Sequence, residues 1–170
     1  MRLRAATAAD TAALSNLGIA SFVAKFGHLY QRQDLDVFLE GAFLPEAIAA
    51  ELANPQRLYC LAEAGAALAG YCKLGLHCGF PEHARGLHTI EIKQLYTDPA
   101  LTGQGIGGAL MDWALAEAAG RGADEMQLSV WSGNLDAQRF YGRYGFEKVA
   151  DVDFWVGGQR DDEFLFSRLI

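Results

Sequence analysis

The sequence predicts one α/β (α+β) domain in which helices cover a mixed sheet of about seven strands. Two observations predict it. Apolar residues recur at helical spacing up to Asn54, and from Arg57 onward the runs turn β-like. Those runs come first as consecutive hairpin-like segments and then, past Thr97, alternate with helical stretches, which calls for a sheet that is neither purely antiparallel nor purely parallel.

The elements follow in order. Arg2–Ala6 reads as a short strand, and Thr7 to Asp10 as an N-cap with an acidic first turn. Leu14, Leu17, Ile19, Phe22, Val23 and Phe26 keep helical spacing, so a helix is expected from Ala8 to Lys25, ended by Gly27. Asp34–Phe43 is a short helix, and Pro45–Asn54 a second, with proline at its first position. Arg57–Glu63 and Ala67–His77 are strands joined by a short turn. Gly79–Gly86 is a loop and Leu87–Thr97 a long strand. A helix runs from Gly105 to Gly120, a strand over Glu125–Trp131, and a helix over Asn134–Tyr144 closed by Gly145. Phe146–Asp151 and Asp162–Ile170 are the final strands, with Phe154–Asp161 expected as the turn between them.

Composition narrows the function. Half of the residues are apolar (51%) and the net charge is −7, with no Lys/Arg cluster, so a nucleic-acid partner is not expected and a cationic small substrate is weakly favoured. No apolar run reaches the ~20 residues of a membrane span, and Asp10 interrupts the alanine-rich start, so neither a membrane segment nor a leader is expected. Cys60, Cys72 and Cys78 are odd in number and lack C-x-x-C spacing, which fits a reducing, cytoplasmic setting and argues against a zinc site; no metal is expected.

The chemistry-bearing stretch is Gly103-Gln104-Gly105-Ile106-Gly107-Gly108, four glycines in six positions between a strand and a helix. Such a loop presents unpaired N–H groups and the positive end of a helix dipole, with no Cβ to keep phosphate oxygens away. No lysine follows Gly107 or Gly108, so it is not a nucleoside triphosphate loop. Five residues separate Thr97 from Gly103, and the candidate acids Asp124 and Glu125 open the next strand instead of ending it, against a nicotinamide-binding unit. Coenzyme A is the third candidate, its pyrophosphate on the loop and its pantetheine arm beside a strand; a helix start packed closely on a neighbour, with glycines used only for fit, is the reading without a ligand.

The segment "LYTDPALTGQGIGGALMDWAL" resembles the acyl-CoA-binding segment of the GNAT superfamily of N-acetyltransferases, and "NLDAQRFYGRYGF" resembles the same family's second segment. Within the superfamily, "SFVAKF", "VFLEGAF", "IEIKQLY", "SVWSGNLDAQRFY" and "DFWVGGQRDDEFLF" are similar to small bacterial polyamine (spermidine/spermine) acetyltransferases. The resemblance implies a mostly antiparallel sheet with helices on both faces, acetyl-CoA as co-substrate, and a homodimer as a common assembly. It assigns cofactor contacts to Leu95, Tyr96 and Thr97 on the strand, and to Thr102, Gly103, Gln104, Gly105, Ile106, Gly107 and Gly108 in the loop. Asn134, Ala137 and Tyr141 on the following helix complete the set. Thr102 departs from the family's Gln or Arg and brings no charge, which leaves the pyrophosphate mainly to backbone N–H groups.

Amide formation needs a neutral amine, a polarised thioester and a protonated leaving thiolate. With an alkylamine pKa of about 10.4, roughly one molecule in a thousand is nucleophilic at pH 7, a deficit that a base offsets. The resemblance makes Glu91 the candidate base, four residues before Leu95; strand alternation is expected to put Glu91, Lys93 and Leu95 on one face. It makes Tyr141 the candidate acid toward sulfur, with Asn134 two helical turns earlier on the pantetheine arm. The strand is expected to splay near Leu95–Thr97 so that its backbone can meet the cofactor. Phe22, Phe26, Tyr30 and Trp155 are candidates for an acceptor pocket, and Asp34, Asp36, Asp161 and Asp162 for a polyamine's distant ammonium groups. Direct acetyl transfer to a small cationic amine is therefore expected. A protein N-terminal or lysine acetyltransferase, and a non-catalytic acyl-CoA sensor, are the alternatives.

Overall fold

The computed structural model describes all residues from Met1 to Ile170. A seven-stranded sheet forms its centre: β1 (Arg2–Ala5), β2 (Arg57–Ala64), β3 (Ala67–Gly75), β4 (Thr89–Thr97), β5 (Glu125–Trp131), β6 (Glu147–Val156) and β7 (Gln159–Leu169). The strand order is β1-β2-β3-β4-β5-β7-β6. Every neighbouring pair is antiparallel except β4 and β5, which are parallel and joined by a helical crossover.

Helices cover both faces. On one lie α1 (Thr11–Phe26), α2 (Arg32–Phe43) and α3 (Pro45–Ala53), which bury Leu14, Leu17, Phe22, Phe43 and Ile48 against Tyr59, Leu61 and Tyr71 of the sheet. The entry to α1 is fixed by Asp10, whose carboxylate accepts the Thr7 N–H at 2.7 Å and pairs with the Arg4 guanidinium at 2.7 Å. On the other face, α4 (Ile106–Gly120) places Ile106, Leu110, Met111, Ala114 and Ala118 over Cys72, Leu74, Ile90, Ile92, Met126 and Leu128. Truncating the fully buried Leu110 to alanine would cost about 2–5 kcal/mol. Gly70 lets α4 close on β3: a Cβ there would lie 2.8 Å from Ile106 Cγ2. Helix α5 (Leu135–Arg143) packs on the same core through Ala137, Phe140 and Tyr141, joined by Tyr144 just beyond its end.

One irregularity positions the site. Ile92 lies opposite Leu74 while Gln94 lies opposite Lys73, so Lys93 is an extra residue, a β-bulge in β4. The β4–β5 ladder runs only from Thr89 and Glu125 to Ile92 and Leu128. Past the bulge β4 continues to Thr97 and β5 to Trp131 without pairing to each other, and a gap opens between them. The bulge also corrects the expected alternation. Ile92 and Leu95 both pack on the α4 side, so Glu91 faces the opposite side of the sheet from Leu95.

The expected eight-residue turn at Phe154–Asp161 is a second correction. Strands β6 and β7 run on to a two-residue turn, Gly157–Gly158. Gly157 has φ of 56°, and a Cβ on it would overlap Asp34, whose carboxylate accepts the Gly158 N–H at 2.7 Å. The hairpin tip is thereby fastened to α2. A pair of glycines is the chemistry such a turn requires, and the flanking residues belong to the strands.

Candidate active site

The glycine loop stands at one end of a cleft of ≈ 750 Å³ that enters the gap between β4 and β5 and continues to the α1–α2 side. Asp98 starts the turn into the loop by accepting the Ala100 N–H at 2.8 Å. Gly103 and Gly105 have φ of 80° and 77°, and no atom lies within 4 Å of the position a Cβ would take, so this surface of the loop is open. Ile106, Gly107 and Gly108 then begin α4, and their N–H groups have no acceptor within the helix. At Gly107 a Cβ would sit 3.7 Å from Leu95, and at Gly108 3.3 Å from the Tyr144 hydroxyl; these two positions let α4 lie close to β4 and α5.

Most of the expected cofactor residues share this cleft. Leu95, Tyr96, Thr97, Thr102, Gly103, Gly105, Ile106, Gly107, Gly108, Asn134, Ala137 and Tyr141 all line it. Gln104 is exposed and stands outside the lining. Asn134 caps α5, its Oδ1 accepting the Ala137 N–H at 3.3 Å, which leaves its amide N–H groups free for a ligand. Arg143, not singled out in the sequence, lines the cleft from α5 and carries a positive charge, which Thr102 lacks. Burial pushes the Tyr141 phenol up, and Cys72 and Glu163 nearby add to the shift, so the group keeps its proton at neutral pH.

Glu91 does not line the cleft. It is 4% exposed, pairs with Lys93 Nζ at 2.7 Å and accepts the Gly79 N–H at 2.5 Å. The bulge turns it to the far side of the sheet from Leu95, and both its partners hold it there.

On the α1–α2 side, Phe22, Phe26 and Tyr30 form one wall. Trp155 does not join them: it is 58% exposed, and its neighbour Phe154 lines the cleft instead, one residue away and so on the opposite face of β6. Trp131 completes the wall, edge-on to Phe26 with ring centroids 6.4 Å apart. Three of the four expected acids are engaged elsewhere. Asp34 holds the hairpin tip, Asp36 lies 3.5 Å from Arg32, and Asp162 lies 3.1 Å from Arg160. Asp161 is buried and bonded to the Tyr30 hydroxyl and, at 2.9 Å, to the Gln159 amide. The acid that reaches the cleft on this side is Glu163, absent from the sequence-based candidates. Its signal, two residues beyond Asp161 on one strand face, was hidden by placing Asp161 in a turn.

The family model described as the Acetyltransferase (GNAT) family matches residues 21–146, from α1 through the glycine loop and α5. The chain belongs to this family. It is an N-acetyltransferase of the acetyl-CoA-dependent kind. An uncharacterized N-acetyltransferase of Mycobacterium tuberculosis is 30% identical over 77% of this chain and 79% of its own length. The aminoalkylphosphonate N-acetyltransferase of Salmonella typhimurium is 36% identical over 61% of this chain and 65% of its own. Among solved structures, the PaiA N-acetyltransferase of Thermoplasma acidophilum, crystallised with coenzyme A, superposes with a TM-score of 0.81 over 99% of this chain and 98% of that one, at 20% identity. That likeness shows the fold.

The residues present fit the acetyl-CoA that the family implies. The open, Cβ-free side of Gly103 and Gly105, the free N–H groups opening α4 and the cation of Arg143 suit a diphosphate; the unpaired edge of β4 suits the amides of pantetheine. No group of three or more His, Cys, Asp or Glu side chains is placed to hold a metal ion, and no helix is long and apolar enough to cross a membrane.

Proposed function

We propose that this acetyltransferase acetylates a primary amine on a small cationic acceptor by direct transfer. The observation that carries the reading is the two-ended cleft: a phosphate-binding loop on the α4 side, and an aromatic compartment with a carboxylate on the α1–α2 side. Bound acetyl-CoA supplies the activated acyl carbon. Gly103 to Gly108 and Arg143 hold its phosphates, Asn134 and the free β4 edge at Leu95–Thr97 align its arm, and Tyr141 donates a proton at sulfur. Phe22, Phe26, Tyr30, Trp131 and Phe154 exclude water around the amine and offer ring faces to an alkylammonium chain. Glu91 acts at one remove: it fixes Lys93 and the Gly79 backbone, and any proton it takes arrives through another group. None of the three cysteines is needed as a nucleophile, and their free thiols support work in the cytoplasm.

A second acceptor class has an observation in its favour. Lys25 and Lys93 also line the cleft, which suits an amine carrying an anionic tail, the kind of acceptor named for the Salmonella relative. A panel of di- and polyamines, aminoalkylphosphonates, aminoglycosides, amino acids and N-terminal peptides, assayed with acetyl-CoA by thiol release, separates them. The proposal expects saturable turnover with the polyamines and the highest kcat/KM there. Turnover confined to phosphonates or peptides rejects it.

A further inference from the structure

One face of β7 carries Asp161, Glu163, Leu165 and Ser167, and register sets Glu163 opposite Trp131 on β5 and Val152 on β6. Carboxylates beside it are satisfied within the protein. Glu91 has Lys93 and the Gly79 N–H, and Asp161 has Tyr30 and Gln159. Glu163 has no ion pair with any lysine, arginine or histidine. The other acid of the cleft lining, Asp136, lies in the first turn of α5 and is paired with Arg139 at 2.5 Å. An unpaired carboxyl half-buried among Phe26, Trp131 and Phe154 is costly unless a cation comes to it.

We propose that Glu163 receives the acceptor's reacting ammonium and takes its proton, serving as the base of the transfer; this rests on the acetyltransferase reading of the same cleft. The N–H bond of the ammonium breaks, its electron pair stays on nitrogen, and the proton passes to a Glu163 carboxylate oxygen. The amine nitrogen then forms the bond to the acyl carbon and the carbon–sulfur bond breaks. Sulfur takes the Tyr141 hydroxyl proton, and the second proton lost by nitrogen restores Tyr141. Glu163 releases its proton to solvent, so the sum is amide, free thiol and one proton.

The surroundings tune the group for this role. The titratable groups acting on Glu163 are Tyr30 after α1, Glu91 and Tyr96 of β4, Tyr141 of α5 and Asp161 on its own strand, and Lys25 of α1 and Lys93 of β4 line the same cleft without an ion pair to it. Burial, and then the charges of Asp161 and Glu91, lift it above the usual carboxylate value, while the Ser129 hydroxyl opposes the shift. A carboxylate raised toward neutrality is the better proton acceptor at physiological pH. Glu91 thereby keeps an electrostatic part in the reaction without touching the amine.

The test compares wild type, Glu163→Gln, Glu163→Asp and Glu91→Gln by thiol release against pH, with coenzyme A calorimetry and thermal melts on each. Glu163→Gln should lower kcat by about 100-fold or more with unchanged coenzyme A affinity, and should lose the acid limb of the kcat profile. Glu163→Asp should keep that limb at a lower rate, and it decides the matter if the glutamine variant does not fold. Glu91→Gln should lose far less in kcat and move the limb to lower pH. A Glu163→Gln enzyme that keeps kcat and its acid limb and changes only the acceptor KM overturns the proposal. So does a Glu163→Asp enzyme without the limb. If wild type releases no thiol with any amine, the acetyltransfer reading falls and this assignment with it; wild-type turnover that survives in Glu163→Gln removes this assignment alone.

Discussion

Replacing Gly105 by alanine separates the loop's structural cost from its binding role. Gly105 has φ of 77°, and nothing lies within 4 Å of the added methyl. The fold therefore loses only the left-handed penalty of an L-residue, about 1–2 kcal/mol. For a domain of this size that lowers Tm by about 2–8 °C. Binding loses more, because the methyl occupies the open side on which a diphosphate approaches. Forfeiting one hydrogen bond to a charged oxygen is worth about 1.5–3 kcal/mol, or about 10- to 150-fold in Kd. Gly65→Ala and Gly122→Ala are matched controls: their φ values are 65° and 74°, their Cβ positions are equally open, and neither lines the cleft. Calorimetric titration with coenzyme A and differential scanning calorimetry should show similar Tm losses in all three variants and weakened binding in Gly105→Ala alone. Equal coenzyme A affinity across the three would refute the assignment of the loop to the diphosphate.

Other changes probe other links. Tyr141→Phe should lower kcat by about 100-fold or more while coenzyme A Kd stays within about twofold, measured by thiol release and calorimetry; retained turnover would remove Tyr141 as the acid. Phe154→Leu should raise the acceptor KM severalfold, and Trp155→Ala should leave it unchanged, since only Phe154 faces the cleft; the reverse order would show that the β6 register is wrong. Gln127 is fully buried with both side-chain amide atoms unpartnered. Gln127→Met, similar in volume, should raise stability by about 1–3 kcal/mol, read as a higher denaturant midpoint at constant slope; a lower midpoint would mean that the amide has a partner in solution.

The legible parts of this protein were those whose chemistry is local. Dense glycine beside a helix start announces backbone N–H groups open to a ligand, because no other residue adopts the φ of Gly103 and Gly105 so readily. Tyr141 and Asn134 were named by the family resemblance and share one helix, and Phe22, Phe26 and Tyr30 were named as aromatics at helical spacing; all five line the cleft. The errors on the strands share one cause, a shift of strand parity. The extra residue at Lys93 leaves no mark in composition, yet it separates Glu91 from Leu95. At the β6–β7 hairpin, reading eight residues as turn hid the alternation that sends Phe154 and Glu163 inward and Trp155 outward. Arg143 was missed because its value lies in which loop its helix faces, a tertiary fact.

The gap that the Lys93 bulge opens between β4 and β5 is the path an acetyl-CoA entering over the glycine loop would thread. A crystal structure with acetyl-CoA bound tests it most directly. The diphosphate should lie on the N–H groups of Gly103 to Gly108, the pantetheine along Leu95–Thr97, and the thioester sulfur within hydrogen-bond reach of the Tyr141 hydroxyl. A thioester that lies outside the gap, or a diphosphate held by another part of the surface, would contradict it.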